Sequence, residues 1–168
     1  MPSPRQLASS GSEHGEQAAL FCFLHVAANY GFKAACDGRS FTEKGFAQAV
    51  DGSVAIPELA WVFAIPNGGS RGNDKRSAMI VGAQMKAEGV KSGVSDLMLP
   101  IPKHGLCGLF IEMKRADGGT PSANQKAFGD FVKSQGYGFC VCYGWIEAAE
   151  VIMRWMGYSF PPHWQKWA

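Results

Sequence analysis

The sequence lacks any run of about twenty consecutive apolar residues, the length that spans a bilayer, and its opening MPSPRQLASSGS has no apolar core of the secretory kind. A membrane protein or an exported one is therefore not expected; a soluble cytoplasmic protein is. Charge of one sign is scarce too. Charged residues make up 18% of the chain, the net charge is +2 and the isoelectric point is near 8.3. Composition does not announce a nucleic-acid binder, so any basic surface has to be local. One local excess lies between Arg71 and Lys91, where Arg71, Lys75, Arg76, Lys86 and Lys91 are opposed only by Asp74 and Glu88. A solvated helix face accounts for it equally well.

Paired CxxC motifs and Cys/His clusters are also missing, which argues against structural zinc. The five cysteines, Cys22, Cys36, Cys107, Cys140 and Cys142, are odd in number and sit mostly in apolar runs such as FCFL and FCVCY, as buried free thiols of a reducing compartment do. Their closest pair is a C-x-C whose side chains share one face of a strand. There is no internal repeat.

What is present is the apolar content of one compact domain: 46% hydrophobic residues in 168. Residues 1–11 read as a disordered leader. Ser12 is a suitable N-cap for a helix from Glu13 to Tyr30. Residues 31–52 read as an irregular insert with room for one short helix. PELAWVFAIPNGGSRG reads as a strand feeding a turn, and Lys75–Glu88 as a helix stopped by Gly89. Ser95–Leu99 and Leu106–Lys114 follow as strands, then a helix over Ser122–Ser134, a buried strand over Tyr137–Tyr143 and a helix over Trp145–Met156. The aromatic tail 158–168 is either an ordered clasp or a partner-binding strip. The order predicts an α/β or α+β fold with a mixed central sheet flanked by helices.

Side chains alternate along a strand, so in GLFIEMKR Glu112 and Lys114 share one face while Leu109, Ile111 and Met113 share the other. Asp96, inside the apolar VSDLML, needs a cation or hydrogen-bond donors if it is buried. Asp96 and Glu112 form the carboxylate pair that a hard divalent cation such as Mg2+ accepts while keeping several waters. Lys114 then stands where charge develops on a phosphate under attack. On these three residues alone, a partly buried salt bridge between neighbouring strands is the simpler reading. The histidines carry no catalytic base: His25 reads as a core or boundary residue, His104 as a turn residue, His163 as part of the tail, and His14 at most as an outer contact.

Four blocks in order, IPNGGSR, EGVKSGVSDLMLP, GLFIEMKRADGGTPSANQKAF and GYGFCVCYGWIEAAEVI, resemble successive blocks of the VRR-NUC domain within the PD-(D/E)xK nuclease superfamily. The resemblance runs over residues 12–157 and implies a restriction-endonuclease-like core. It implies that Asp96, Glu112, Lys114 and Gln125 are catalytic. Asp96, Glu112, the Met113 main-chain carbonyl and a first-helix glutamate, Glu13 or else Glu16, would be metal ligands. Glu13 is favoured because Gln17 stands four residues on; Glu58, just after a proline, is an ordinary helix-start residue. Ser95 departs from the proline that the family often has before its aspartate. Asn67, Arg71, Lys86 and Lys126 are the expected DNA contacts, with Gly68 and Gly69 permitting close approach. The resemblance further implies Mg2+ as cofactor, with Mn2+ as a substitute, and branched or junction DNA as partner. Stand-alone relatives are similar to Holliday-junction resolvases acting as homodimers in bacterial or phage-infected cells. A flap or restriction-like nuclease of the same fold and a catalytically silent, structure-specific DNA-binding protein are the alternatives.

Overall fold

The computed structural model describes residues 2–37, 41–42, 45–46, 52–66, 75–161 and 164, without the side chains of 41, 42, 45, 46, 75, 76 and 78. Helices α1 (Pro4–Ala8), α2 (Glu13–Tyr30) and α3 (Phe32–Ala35) come first, followed by a two-residue ladder of β1 (Phe41–Thr42) with β2 (Gly45–Phe46). After a 3-10 turn at Pro57–Trp61 come β3 (Phe63–Ala64), α4 (Lys75–Ala87), β4 (Leu97–Leu99), β5 (Leu109–Lys114), α5 (Ala123–Ser134), β6 (Gly138–Tyr143) and α6 (Gly144–Trp155).

The main sheet has the order β3-β4-β5-β6, antiparallel up to β5 and parallel between β5 and β6. A parallel pair needs a crossover, and α5 is the helix that makes it. Period-2 alternation divides the sheet's residues. Leu97, Leu99, Ile111, Met113 and Cys142 are buried with Leu20, Phe23 and Leu24 of α2 and Trp145, Ile152 and Met153 of α6. Each such side chain contributes about 1.5–3 kcal/mol when fully buried. The opposite face carries Phe110, edge-on to Phe128 of α5 and to Tyr137, and Phe139, whose ring Gly129 of α5 meets so closely that a Cβ there would lie 2.6 Å from it.

Helix α2 begins where Ser12 Oγ accepts the Gly15 N–H and stops at Gly31, φ +91°, where any Cβ would stand 2.2 Å from the Val54 carbonyl oxygen. The leader is not disordered. Pro4 at the helix start and a reciprocal Ser3–Gln6 capping box build α1, which packs on α2 with Pro4 buried. PELAW is a 3-10 turn and not the start of a strand, since Pro57 supplies a helical φ; Glu58 is exposed in its first turn. Strand β4 begins at Leu97 and not at Ser95, because the Met113 N–H that a longer ladder would use goes to the Asp96 carboxylate at 2.8 Å. Strand β5 begins at Leu109, after a turn in which His104 takes φ 55° and its Nε2 lies 3.2 Å from the Trp155 carbonyl oxygen.

Of the insert, α3 is the expected short helix. His25 is not a core residue: it lies on the exposed side of α2. Cys22, Cys36 and Cys142 are buried free thiols, but Cys107 is exposed. Burial pushes the Cys22 and Cys36 thiols up to about 11 and about 12. The Cys140 and Cys142 sulfurs are 3.7 Å apart on one face, as the C-x-C spacing predicts. The described part of the tail is a clasp: Phe160 and Trp164 pack on Phe23, and Trp164 Nε1 donates to Glu150 Oε1 at 3.2 Å. Among the described residues, no helix is long and apolar enough to cross a membrane.

Candidate active site

Strand alternation puts Glu112 and Lys114 on the α5 side of β5, and the end of β4 brings Asp96 beside them. All three line a cleft of about 780 Å³ whose other walls come from α4 (Gly82, Met85, Lys86), the following loop (Gly89 to Val94), Glu13 of α2, and Ser122 and Gln125 of α5. Lys114 Nζ donates to Glu112 Oε1 at 2.6 Å and lies 3.7 Å from Glu13 Oε1. Gln125 Nε2 donates to the same Glu112 Oε1. Its amide oxygen accepts the Ser122 N–H at 2.8 Å, closing the capping box that starts α5. Gln125 thus ties the Glu112 carboxylate to a helix N-terminus. That S-x-x-Q signature, and hence Ser122, was legible in the sequence but not singled out.

Glu112 is 1% exposed, and its Oε2 is buried without a hydrogen-bond partner among the described residues. Burial pushes its carboxyl up to about 7; the charges of Asp96 and Glu13 add to the rise, and Lys114 opposes it. Burial pulls Lys114 down, but the Glu112 hydrogen bond and the charges of Glu112, Glu13 and Asp96 outweigh it and hold the ammonium above the usual lysine range.

The donor set suits a hard divalent cation. A buried carboxylate oxygen without a partner stands beside a second carboxylate, the two repelling one another, and Mg2+ needs only one or two carboxylates together with its waters. A strand residue directs its N–H and C=O to the same edge, so the Met113 carbonyl faces the Asp96 side with its N–H. Among the described residues, no three His, Cys, Asp or Glu side chains draw close enough to hold a metal together. Glu13 therefore meets Lys114 here and not Asp96 and Glu112. Glu16 does neither: it is 4% exposed, and its Oε2 accepts the Trp145 N–H at 2.9 Å, capping α6, whose own N-cap Tyr143 makes no side-chain cap bond.

Of the expected DNA contacts, Lys86 lines the cleft and Lys126 is exposed on α5, off the cleft wall. Asn67 and Arg71, with Gly68 and Gly69, lie outside the described residues, as does His163. Lys91, on the loop after α4, joins Lys86 at the cleft. Ser95, in the place of the family's proline, is fully buried, and its hydroxyl has no partner among the described residues.

Residues 71–145 match the family model of the VRR-NUC domain, a span that takes in Asp96, Glu112, Met113, Lys114 and Gln125 and excludes α2. A solved structure described as a VRR_NUC domain protein superposes with a TM-score of 0.57 at 19% identity, over 87% of this chain and 88% of that one. This likeness extends the shared fold beyond the matched residues and agrees with a restriction-endonuclease-like architecture. Among curated proteins, none matches the sequence. On these grounds, residues 71–145 are similar to the VRR-NUC family of nuclease domains.

Proposed function

We propose that this chain is a Mg2+-dependent, structure-selective DNA endonuclease, with Mn2+ as a substitute ion, cutting branched DNA as a Holliday-junction resolvase does. Residues 12–157 would form the nuclease unit, in the cytoplasm of a bacterial or phage-infected cell. The reading is carried by one observation: the unpartnered Glu112 Oε2 beside the Asp96 carboxylate, on the wall of a cleft that Lys86 also lines.

Asp96, Glu112 and the Met113 carbonyl would hold the cation. When bound, it makes water nucleophilic near neutral pH and polarises the phosphate. The Met113 N–H fixes the Asp96 carboxylate. Gln125 engages Glu112 Oε1 and leaves the buried Oε2 for the cation. Lys114, held as an ammonium, offsets the negative charge that gathers on the phosphate oxygens as water bonds to phosphorus. The phosphorus bond to the 3' oxygen then breaks, leaving a 3'-hydroxyl and a 5'-phosphate. Lys86 and Lys91 meet phosphates on either side of the cut. One site cuts one strand, and a four-way junction needs two symmetric cuts, so two copies of the chain related by a twofold axis would act together.

The test is cleavage of a labelled four-way junction, a flap and a plain duplex by wild type and Lys114→Ala, with Mg2+ and with EDTA. Paired symmetric nicks in the junction are expected, abolished by EDTA and lowered at least about 100-fold in the variant. Cleavage of the flap or duplex in preference would replace the resolvase reading with a nuclease of the same fold lacking junction preference. No cleavage of any DNA would leave a binding protein.

A further inference from the structure

Directly paired residues of neighbouring strands project to the same face of a sheet. Glu112 pairs with Val141 and Lys114 with Tyr143, so Tyr143 stands on the catalytic face, one strand over from Lys114, where the parallel pair ends. The intervening pair, Met113 and Cys142, is buried in the core on the other face, which fixes the parity. The carboxyl ends of parallel strands are where α/β sheets bind their ligands.

The fold makes little use of the Tyr143 ring. The residue is 40% exposed and forms the N-cap of α6 without a side-chain cap bond. Its backbone is nevertheless held firmly. Glu147 Oε2 accepts its N–H at 2.7 Å, and Gly144, φ +81°, turns the chain so tightly that a Cβ there would sit 3.0 Å from that of Ala116. An aromatic ring is thus presented to solvent from a rigid position beside the reactive lysine.

We propose that Tyr143 is a stacking platform for an unpaired base next to the scissile phosphate. The proposal rests on the nuclease reading above and deepens it by naming what the site selects. Neighbouring strands lie about 4.8 Å apart, so the ring is within about one nucleotide of Lys114. Bases inside a duplex have both faces covered by their neighbours, whereas a base freed at a branch or flap offers one to the ring. Stacking tolerates any sequence, because every base has a π face.

The test uses the full chain and a three-way DNA with 2-aminopurine unpaired beside the branch. Binding is read by fluorescence with Ca2+ in place of Mg2+, cleavage by steady-state kinetics with Mg2+. Wild type and Tyr143→Phe should quench the probe. Tyr143→Ala should not, and its KM on branched DNA should rise about tenfold with kcat within about twofold and no change on paired duplex. Unaltered quenching in Tyr143→Ala, a loss in Tyr143→Phe equal to that in Tyr143→Ala, or an equal loss on paired duplex would overturn the platform. Wild type that quenches the probe through Tyr143 yet cuts nothing would overturn the nuclease reading and leave the platform standing.

Discussion

Glu112 offers a test that needs no substrate. Burial raises its carboxyl from 4.5 to about 7, so between these values the folded protein holds a proton that the unfolded chain releases. Stability then falls as pH rises through that window and levels off above it. At about 1.4 kcal/mol per pH unit, the loss between about pH 5 and pH 8 is about 2–3 kcal/mol, worth about 5–10 °C in Tm for a chain of this size. Glu112→Gln keeps the shape and removes the titration. Its lost pairing with Lys114 adds an offset, but the lysine stays charged across this range, so the offset does not vary with pH. The measurement is thermal and urea unfolding of both proteins in EDTA from about pH 5 to pH 8. The difference in stability should shift towards the variant by about 2–3 kcal/mol as pH rises. Mg2+ should restore wild type most strongly at the alkaline end, where the carboxylate is ionised without a proton to displace, and should not affect the variant. A difference that is flat with pH, or that shifts towards wild type, would refute the account of a buried carboxylate awaiting a cation.

Two further outcomes follow from buried polar atoms. Glu16→Ala strands the Trp145 N–H at the start of α6 and should cost about 2 kcal/mol by urea denaturation, whereas Glu16→Gln keeps an acceptor and should cost less than about 1; equal losses would mean that the cap contributes nothing. Ser95→Ala removes a fully buried hydroxyl that has no partner among the described residues and should raise the unfolding free energy by about 1 kcal/mol, read as a higher urea midpoint at unchanged m-value, and a loss of that size would show that the hydroxyl is satisfied in solution.

Local signals were enough for most elements. Ser12 and Gly31 bracket α2 because a side-chain cap and a left-handed glycine act within a turn, and both stand in the sequence. Alternation placed Glu112 and Lys114 on one face, as a strand does wherever it lies. The leader failed as a local reading because α1 owes its order to packing on α2 as well as to its capping box. PELAW failed because its apolar content suits a strand and a surface 3-10 turn alike, and Leu59 alone of its five residues is buried.

The sequence by itself determined the order of the main helices and strands from α4 onward, the two-faced strand carrying Glu112 and Lys114, and the ordered blocks that resemble a VRR-NUC domain, since each depends on residue type and spacing along the chain. Only the tertiary structure separated the surroundings of Glu13 from those of Glu16. The two lie three residues apart on one helical face, and what separates them is what that face meets: Lys114 for Glu13, the N-terminus of α6 for Glu16. It also decided that Gln125 holds Glu112 and that Tyr143 stands beside Lys114. These relations join residues distant in sequence, and packing across the sheet, which no local pattern encodes, brings them together.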